Sequence, residues 1–128
     1  FAAAGGKDAM TFAEVVRNIG GELVVRTGSA DREVRHVVAS DLMSDVLIVD
    51  EDDMLLITSL ASDQVLRTAQ IVGATGVVIM NGKPLSSPMA EIARDLGLSL
   101  ATCRLSKYDG CIAVYRAMHG ERSADPAR

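Results

Sequence analysis

The sequence predicts an α/β domain, a three-layer sandwich around a mainly parallel β-sheet, and three observations carry that expectation. Residues 54–58, 77–80 and 98–102 are largely apolar runs of strand length, as parallel strands buried on both faces are. Between them Val65, Leu66, Ala69 and Val72, and then Met89, Ile92, Ala93 and Leu96, recur at helical spacing, so each intervening segment carries one apolar stripe. The connections are short, which makes each β-α-β unit cross right-handed and lay its helix on the sheet. A chain of 128 residues, 48% hydrophobic, is the size of one such domain and too small for two full cores.

Taken in order, residues 1–9 are small, glycine-containing and aperiodic and begin on Phe, which reads as a processed leader or expression remnant, with the native start at Met10. The domain then occupies residues 10–119. Thr11 and Glu14 form a capping box, Met10 and Val15 a hydrophobic staple, and Phe12, Val15, Val16 and Ile19 one helical face that Gly20 and Gly21 end. Residues 23–26 and 33–39 read as strands on either side of a Thr27-Gly28-Ser29 turn. Ser40-Asp41-Leu42-Met43-Ser44-Asp45 opens a short helix capped by Ser40 or Asp41 and running to the acidic stretch at 50–53. After the strand at 54–58 come a helix at 62–72, a strand at 77–80, and a helix with Ser87 as cap, Pro88 in its first turn and Gly97 past its end. The last helix starts at Ser106 with Asp109 and turns Tyr108, Cys111, Ile112, Tyr115 and Met118 toward the sheet, before a polar tail at 120–128 expected to be disordered.

Thirteen Lys and Arg against seventeen Asp and Glu leave a net charge of −4, so neither nucleic acid nor an anionic membrane has electrostatic support as a partner. No apolar run approaches the ~20 residues of a spanning helix. Two cysteines, Cys103 and Cys111, make no stapled framework, and a cytoplasmic location is expected.

Ligands of open parallel sheets collect beyond the carboxyl ends of the strands, beside helix N-termini. Three loops fall there: 58–62, 81–87 and 104–107, each combining hydroxyls or a cation with a helix start. The same serines also serve as ordinary caps. A P-loop and a dinucleotide fingerprint are missing, because Gly73-Ala74-Thr75-Gly76 lies between a helix and the next strand. The run Asp50, Glu51, Asp52, Asp53 lacks the spacing and turning glycine of an oxygen-ligand loop and reads as solvated. Asp41 and Asp45 would share a helical face at i, i+4. His36 in a strand and His119 in a last helical turn are poor general bases, and two cysteines fall short of a zinc site. No metal site and no catalytic constellation is expected.

Ala39-Ser40-Asp41-Leu42-Met43-Ser44-Asp45-Val46-Leu47, Leu55-Leu56-Ile57-Thr58, Gly76-Val77-Val78-Ile79-Met80-Asn81-Gly82-Lys83-Pro84 and the Ile92-Ala93 helix together resemble a DRTGG domain over about residues 10–118. The family's Thr-Gly-Gly turn stands here as Met80-Asn81-Gly82. The resemblance implies a fold similar to the N-terminal domain of HPr kinase/phosphorylase and a regulatory, dimer-forming role, as in DRTGG domains beside CBS domains in family II pyrophosphatases. Standalone relatives stand near iron-only hydrogenase and histidine-kinase-like ATPase genes, which suggests a kinase-like or hydrogenase-related partner.

The leading expectation is therefore a noncatalytic homodimeric module that senses a small anionic ligand, an adenine nucleotide among them, or passes dimer geometry to a partner protein. Thr58, Ser59, Asn81, Gly82 and Lys83 would hold the anion, with Ser40, Asp41, Ser44 and Asp45 along the same edge. The alternatives are a pure interaction subunit without a ligand pocket, and a small phosphotransferase, which would need a general base near Asn81.

Overall fold

A computed structural model describes residues 9–120. The expected leader and tail lie outside these residues except for Ala9 and Gly120. The elements are α1 (Phe12–Asn18), β1 (Glu22–Val25), a 3-10 turn (Gly28–Asp31), β2 (His36–Ala39), α2 (Met43–Leu47), β3 (Met54–Thr58), α3 (Asp63–Ile71), β4 (Gly76–Ile79), α4 (Ser87–Leu96), β5 (Ser99–Thr102) and α5 (Lys107–His119). This is an α/β three-layer sandwich, as expected.

The five strands are ordered β1-β5-β4-β3-β2. β2, β3, β4 and β5 are parallel and neighbour one another in sequence order, while β1 joins β5 antiparallel. Sequential right-handed crossovers lay α2, α3 and α4 on one face. Alternation along β3 divides the core accordingly: Met54 and Leu56 pack with Val46, Val65, Leu66, Ala69, Met89 and Ala93, and Leu55 and Ile57 with Phe12, Val15, Val16 and Val114 of α1 and α5. The strand order never reverses among the parallel strands, so there is no topological switch point to open a crevice between diverging loops. Backbone approach is tightest at Gly76, where a Cβ would overlap the Phe12 ring.

The capping box forms as expected, Thr11 Oγ1 accepting from Glu14 N and Glu14 Oε1 from Thr11 N. Several expectations need correction. The Thr27 turn is a 3-10 turn capped by Thr27, whose hydroxyl joins Ser29 and the buried Ser99 in a hydroxyl cluster. The second strand is shorter than residues 33–39, because residues 32–34 instead bond to Met10 and Phe12. The short helix ends at Leu47 with Ile48 as its cap, two residues before the acidic run. That run is a loop, and it carries ion pairs, Arg32–Asp53 at 2.8 Å and Arg35–Asp53 at 3.3 Å, while His36 Nε2 lies 2.9 Å from Glu51 Oε1. Ser86, not Ser87, caps α4, its hydroxyl accepting from Met89 N.

The largest correction concerns α5. Tyr108 and Tyr115 are exposed, and the buried positions are Gly110 and Val114. At Gly110 a Cβ would stand 2.6 Å from Met80 Cε, so the missing side chain is what brings this face of the helix down onto the sheet. A stripe read from side-chain hydrophobicity alone cannot register a contact made by a glycine.

Candidate functional site: the carboxyl edge of the parallel sheet

Asp41 organises this edge. It follows β2, where the chain leaves the sheet, and both of its carboxylate oxygens are occupied. Oδ1 accepts from Thr58 Oγ1 at 2.9 Å and from Ser59 N at 2.7 Å, while Oδ2 accepts from Lys107 Nζ at 2.8 Å. The Lys107 hydrogen bond and the Ser59 amide hold its carboxyl down at about 2 against the opposing effect of burial, with a lesser contribution from the Thr58 hydroxyl. The Thr58 hydroxyl also accepts from Leu60 N, and Asn81 Nδ2 donates to Ser59 Oγ at 3.0 Å. Asp41 thus ties the loops after β2, β3 and β5 together, and Asn81, through Ser59 Oγ, adds the loop after β4.

Of the residues expected to form an anion site, Asp41, Thr58, Ser59 and Asn81 come together here. In this cluster the donors that would have met an external anion already meet Asp41. Ser40 stands beside it but turns inward on its own loop, its Oγ accepting from Leu42 N at 3.0 Å. Ser44 and Asp45 are exposed on α2 and take no part in the cluster. Asp41 and Asp45 do not share a helical face, because Leu42 is the cap of α2 and Asp41 lies outside the helix. Neither Ser40 nor Asp41 caps it.

Gly82 and Lys83 belong to a different place. Asn81 and Gly82 both adopt positive φ, 69° and 61°, and are fastened to the loop after β5 by Asn81 N→Leu105 O and Gly82 N→Cys103 O, each 2.8 Å. This turn sends Lys83 away from Asp41 into a cleft of about 490 Å³. Gly20, Gly21, Glu22 and Val24 form one wall, Lys83, Pro84 and Leu85 another, with Thr102, Cys103 and Arg104 between them. Among the described residues Lys107 is ion-paired with Asp41, whereas Lys83 and Arg104 join no ion pair. The cleft therefore offers two cations that join no ion pair among the described residues, together with the Glu22 carboxylate and the apolar Val24, Pro84 and Leu85, and its size is within the usual range for small-molecule sites.

Two contributors were not singled out from the sequence. The loop 104–107 was recognised as facing the right edge, but which of its cations closes on Asp41 and which lines the cleft depends on the Asn81-Gly82 turn. A second recess of about 330 Å³ lies between β2 and α5, lined by Arg35, His36, Val37, Cys111, Val114, Tyr115, Met118 and His119. Both histidines are engaged there: His36 bonds Glu51 and the Asp52 carbonyl, and His119 stacks on Tyr115. Cys111 is pushed up by burial, with Lys107 opposing. Among the described residues no cluster of His, Cys, Asp and Glu is placed to hold a metal ion, and no helix is long and apolar enough to cross a membrane.

No family model and no curated protein matches the chain. Among solved structures it matches the CBS and DRTGG domains of the regulatory region of Clostridium perfringens pyrophosphatase, complexed with its activator diadenosine tetraphosphate, at a TM-score of 0.72 and 11% identity over 92% of this chain. The fold is DRTGG-like. The chain spans about half the length of that solved chain, 51% of it. Asn81 takes up the left-handed backbone that asparagine tolerates better than most side chains.

Proposed function

We propose that this chain is a noncatalytic regulatory module that binds a small phosphorylated anion in the cleft between the 82–85 loop and the start of β1. The observation that carries this reading is the pair of cations, Lys83 and Arg104, lining one concave site without ion-pair partners among the described residues. Arg offers a planar fork to phosphate oxygens and Lys a mobile point charge, so together they suit a phosphate group. Val24, Pro84 and Leu85 supply an apolar ledge for the rest of the ligand. An adenine nucleotide is the first compound to test, since the regulatory region that shares this fold was solved with an adenine-containing activator. The noncatalytic reading is supported by Asp41: a carboxylate held at about 2 is a poor general base near neutral pH.

The test is a thermal-shift series at fixed protein concentration with nucleotides and small phosphorylated metabolites. A ligand at a hundred times its Kd adds about 2.7 kcal/mol of stability, a rise of several degrees. The rise should saturate and should vanish in Lys83→Ala and in Arg104→Ala. A rise that survives both replacements would refute this site.

A second reading, an accessory subunit that docks to a kinase-like or hydrogenase-related protein, is favoured by the exposed apolar side chains Val37, Leu42, Leu47, Ile48 and Tyr115 around β2. Silence across the ligand panel together with specific capture of such a partner would select it. Work of either kind in the cytoplasm fits the absence of a spanning helix among the described residues.

A further inference from the structure

Lys83 and Arg104 account for a phosphate, but the cleft holds a third charge. Glu22 opens β1 on the other wall from Lys83, and among the described residues its carboxylate joins no ion pair with either cation of the cleft or with any other. The backbone fixes its place. Gly20 leaves α1 at φ 75°, and at Gly21 a Cβ would stand 2.9 Å from Thr102 O, so only a residue without a side chain lets the chain pass this close to the end of β5. Glu22 then pairs with Thr102 across the sheet, and its side chain is exposed. Val24, two residues on, lines the cleft with it, as the side-chain period of a strand requires.

A carboxylate in an anion site opposes binding unless the ligand brings something for it to accept. A ligand that is anionic throughout, such as inorganic pyrophosphate, meets Lys83 and Arg104 but faces Glu22 as a like charge. One that carries phosphate at one end and N–H donors at the other suits all three groups and lays its body on Val24, Pro84 and Leu85. An ionised carboxylate only accepts, through two oxygens side by side, so its complement is a pair of adjacent N–H donors. Among the common bases guanine alone offers that pair on one edge, at N1 and at the N2 amino group. Adenine sets its N6 amino group beside N1, whose lone pair would oppose the second carboxylate oxygen. We infer that the cleft selects a guanine nucleotide, with Lys83 and Arg104 on the phosphate and the Glu22 carboxylate accepting from N1 and N2 of the base. This selectivity rests on the phosphate reading of the cleft and adds the base to it; adenine nucleotides meet the same cations and bind more weakly.

Calorimetric titration of the full chain with GMP, IMP and AMP reads the base apart from the phosphate, because the three share one phosphate and one ribose. The wild type should bind GMP about tenfold more tightly than AMP. IMP, which keeps the N1 donor and lacks the amino group, should fall between them. The Gln amide presents one acceptor and one donor, the complement of the adenine N6 amino group and N1, so Glu22→Gln should reverse the preference. A Glu22 that acted only through its charge would change all three affinities by a common factor and leave their ratio alone. Lys83→Ala should weaken all three together and keep their order. Equal affinity for GMP and AMP in the wild type, or a ratio that Glu22→Gln leaves unchanged, overturns the selection of guanine while the phosphate site stands. Absence of binding by all three, or binding indifferent to Lys83→Ala, overturns both.

Discussion

Replacing Asp41 with Asn removes the charge that ties the loops after β2, β3 and β5 together while keeping the shape of the side chain and its ability to accept from Thr58. The size of the effect follows from the carboxyl's displacement. Its ordinary value is 3.8 and the folded protein holds it at about 2, a gap worth at most about 2.4 kcal/mol. Asp41 is 44% exposed and Lys107 36%, so solvent screening reduces this to about 1 kcal/mol. The sign is that of a carboxylate stabilised in its charged form. The contribution is complete above about pH 4 and disappears as the pH falls toward about 2, because there the native state must also take up the proton. Urea denaturation of the wild type and Asp41→Asn at a series of pH values measures it, both proteins being kept dilute so that association does not enter. The midpoints should differ at pH 7 by the equivalent of about 1 kcal/mol, near 4 °C in Tm, and converge as the pH falls below 4. A difference that is zero at pH 7, or that does not change with pH, would refute the clamp.

Other outcomes follow from the same structure. Gly76→Ala should destabilise by about 2 kcal/mol or more, since the added methyl meets the fully buried Phe12 ring; Gly110→Ala should cost about half as much, because the atoms it meets are the mobile end of Met80. Chemical denaturation of the two variants side by side checks the order. Asn81 sits at φ 69°, so Asn81→Ala should lose about 1 kcal/mol while Asn81→Gly stays close to wild type. Cys111 is pushed up by burial, so it should alkylate more slowly at pH 7 than a free peptide thiol and gain rate as the pH is raised, followed by mass spectrometry of the modified peptide.

The fold was largely legible because its strongest signals are periodic. The largely apolar strands at 54–58, 77–80 and 98–102 and the stripes of α3 and α4 each follow from a local pattern that tertiary packing then uses. The errors fall where a contact is made by something other than a hydrophobic side chain. Gly110, an absent side chain, sets the rotation of α5 and leaves Tyr108 and Tyr115 outside. The site was legible as an edge but not as a partition. Asp41, Thr58, Ser59, Asn81, Gly82 and Lys83 were all placed at the carboxyl ends of strands, yet two consecutive positive-φ residues, Asn81 and Gly82, divide them between the Asp41 cluster and the cleft. Lys107 and Arg104, three residues apart, then fall on opposite sides of that division. Nothing in residue spacing tells which cation finds a carboxylate and which is left to meet a ligand.

The account rests on the cleft being the ligand site, and calorimetric titration of the wild type and of Lys83→Ala, Arg104→Ala and Asp41→Asn with one adenine nucleotide tests it most directly. Saturable one-to-one binding to the wild type, lost in both cation variants and retained in Asp41→Asn at a pH where that variant is folded, is the predicted result. Binding that is indifferent to Lys83 and Arg104 but strengthened in Asp41→Asn, where Thr58, Ser59 and Lys107 are released to meet an anion, would contradict it, and would place the anion in the Asp41 cluster instead.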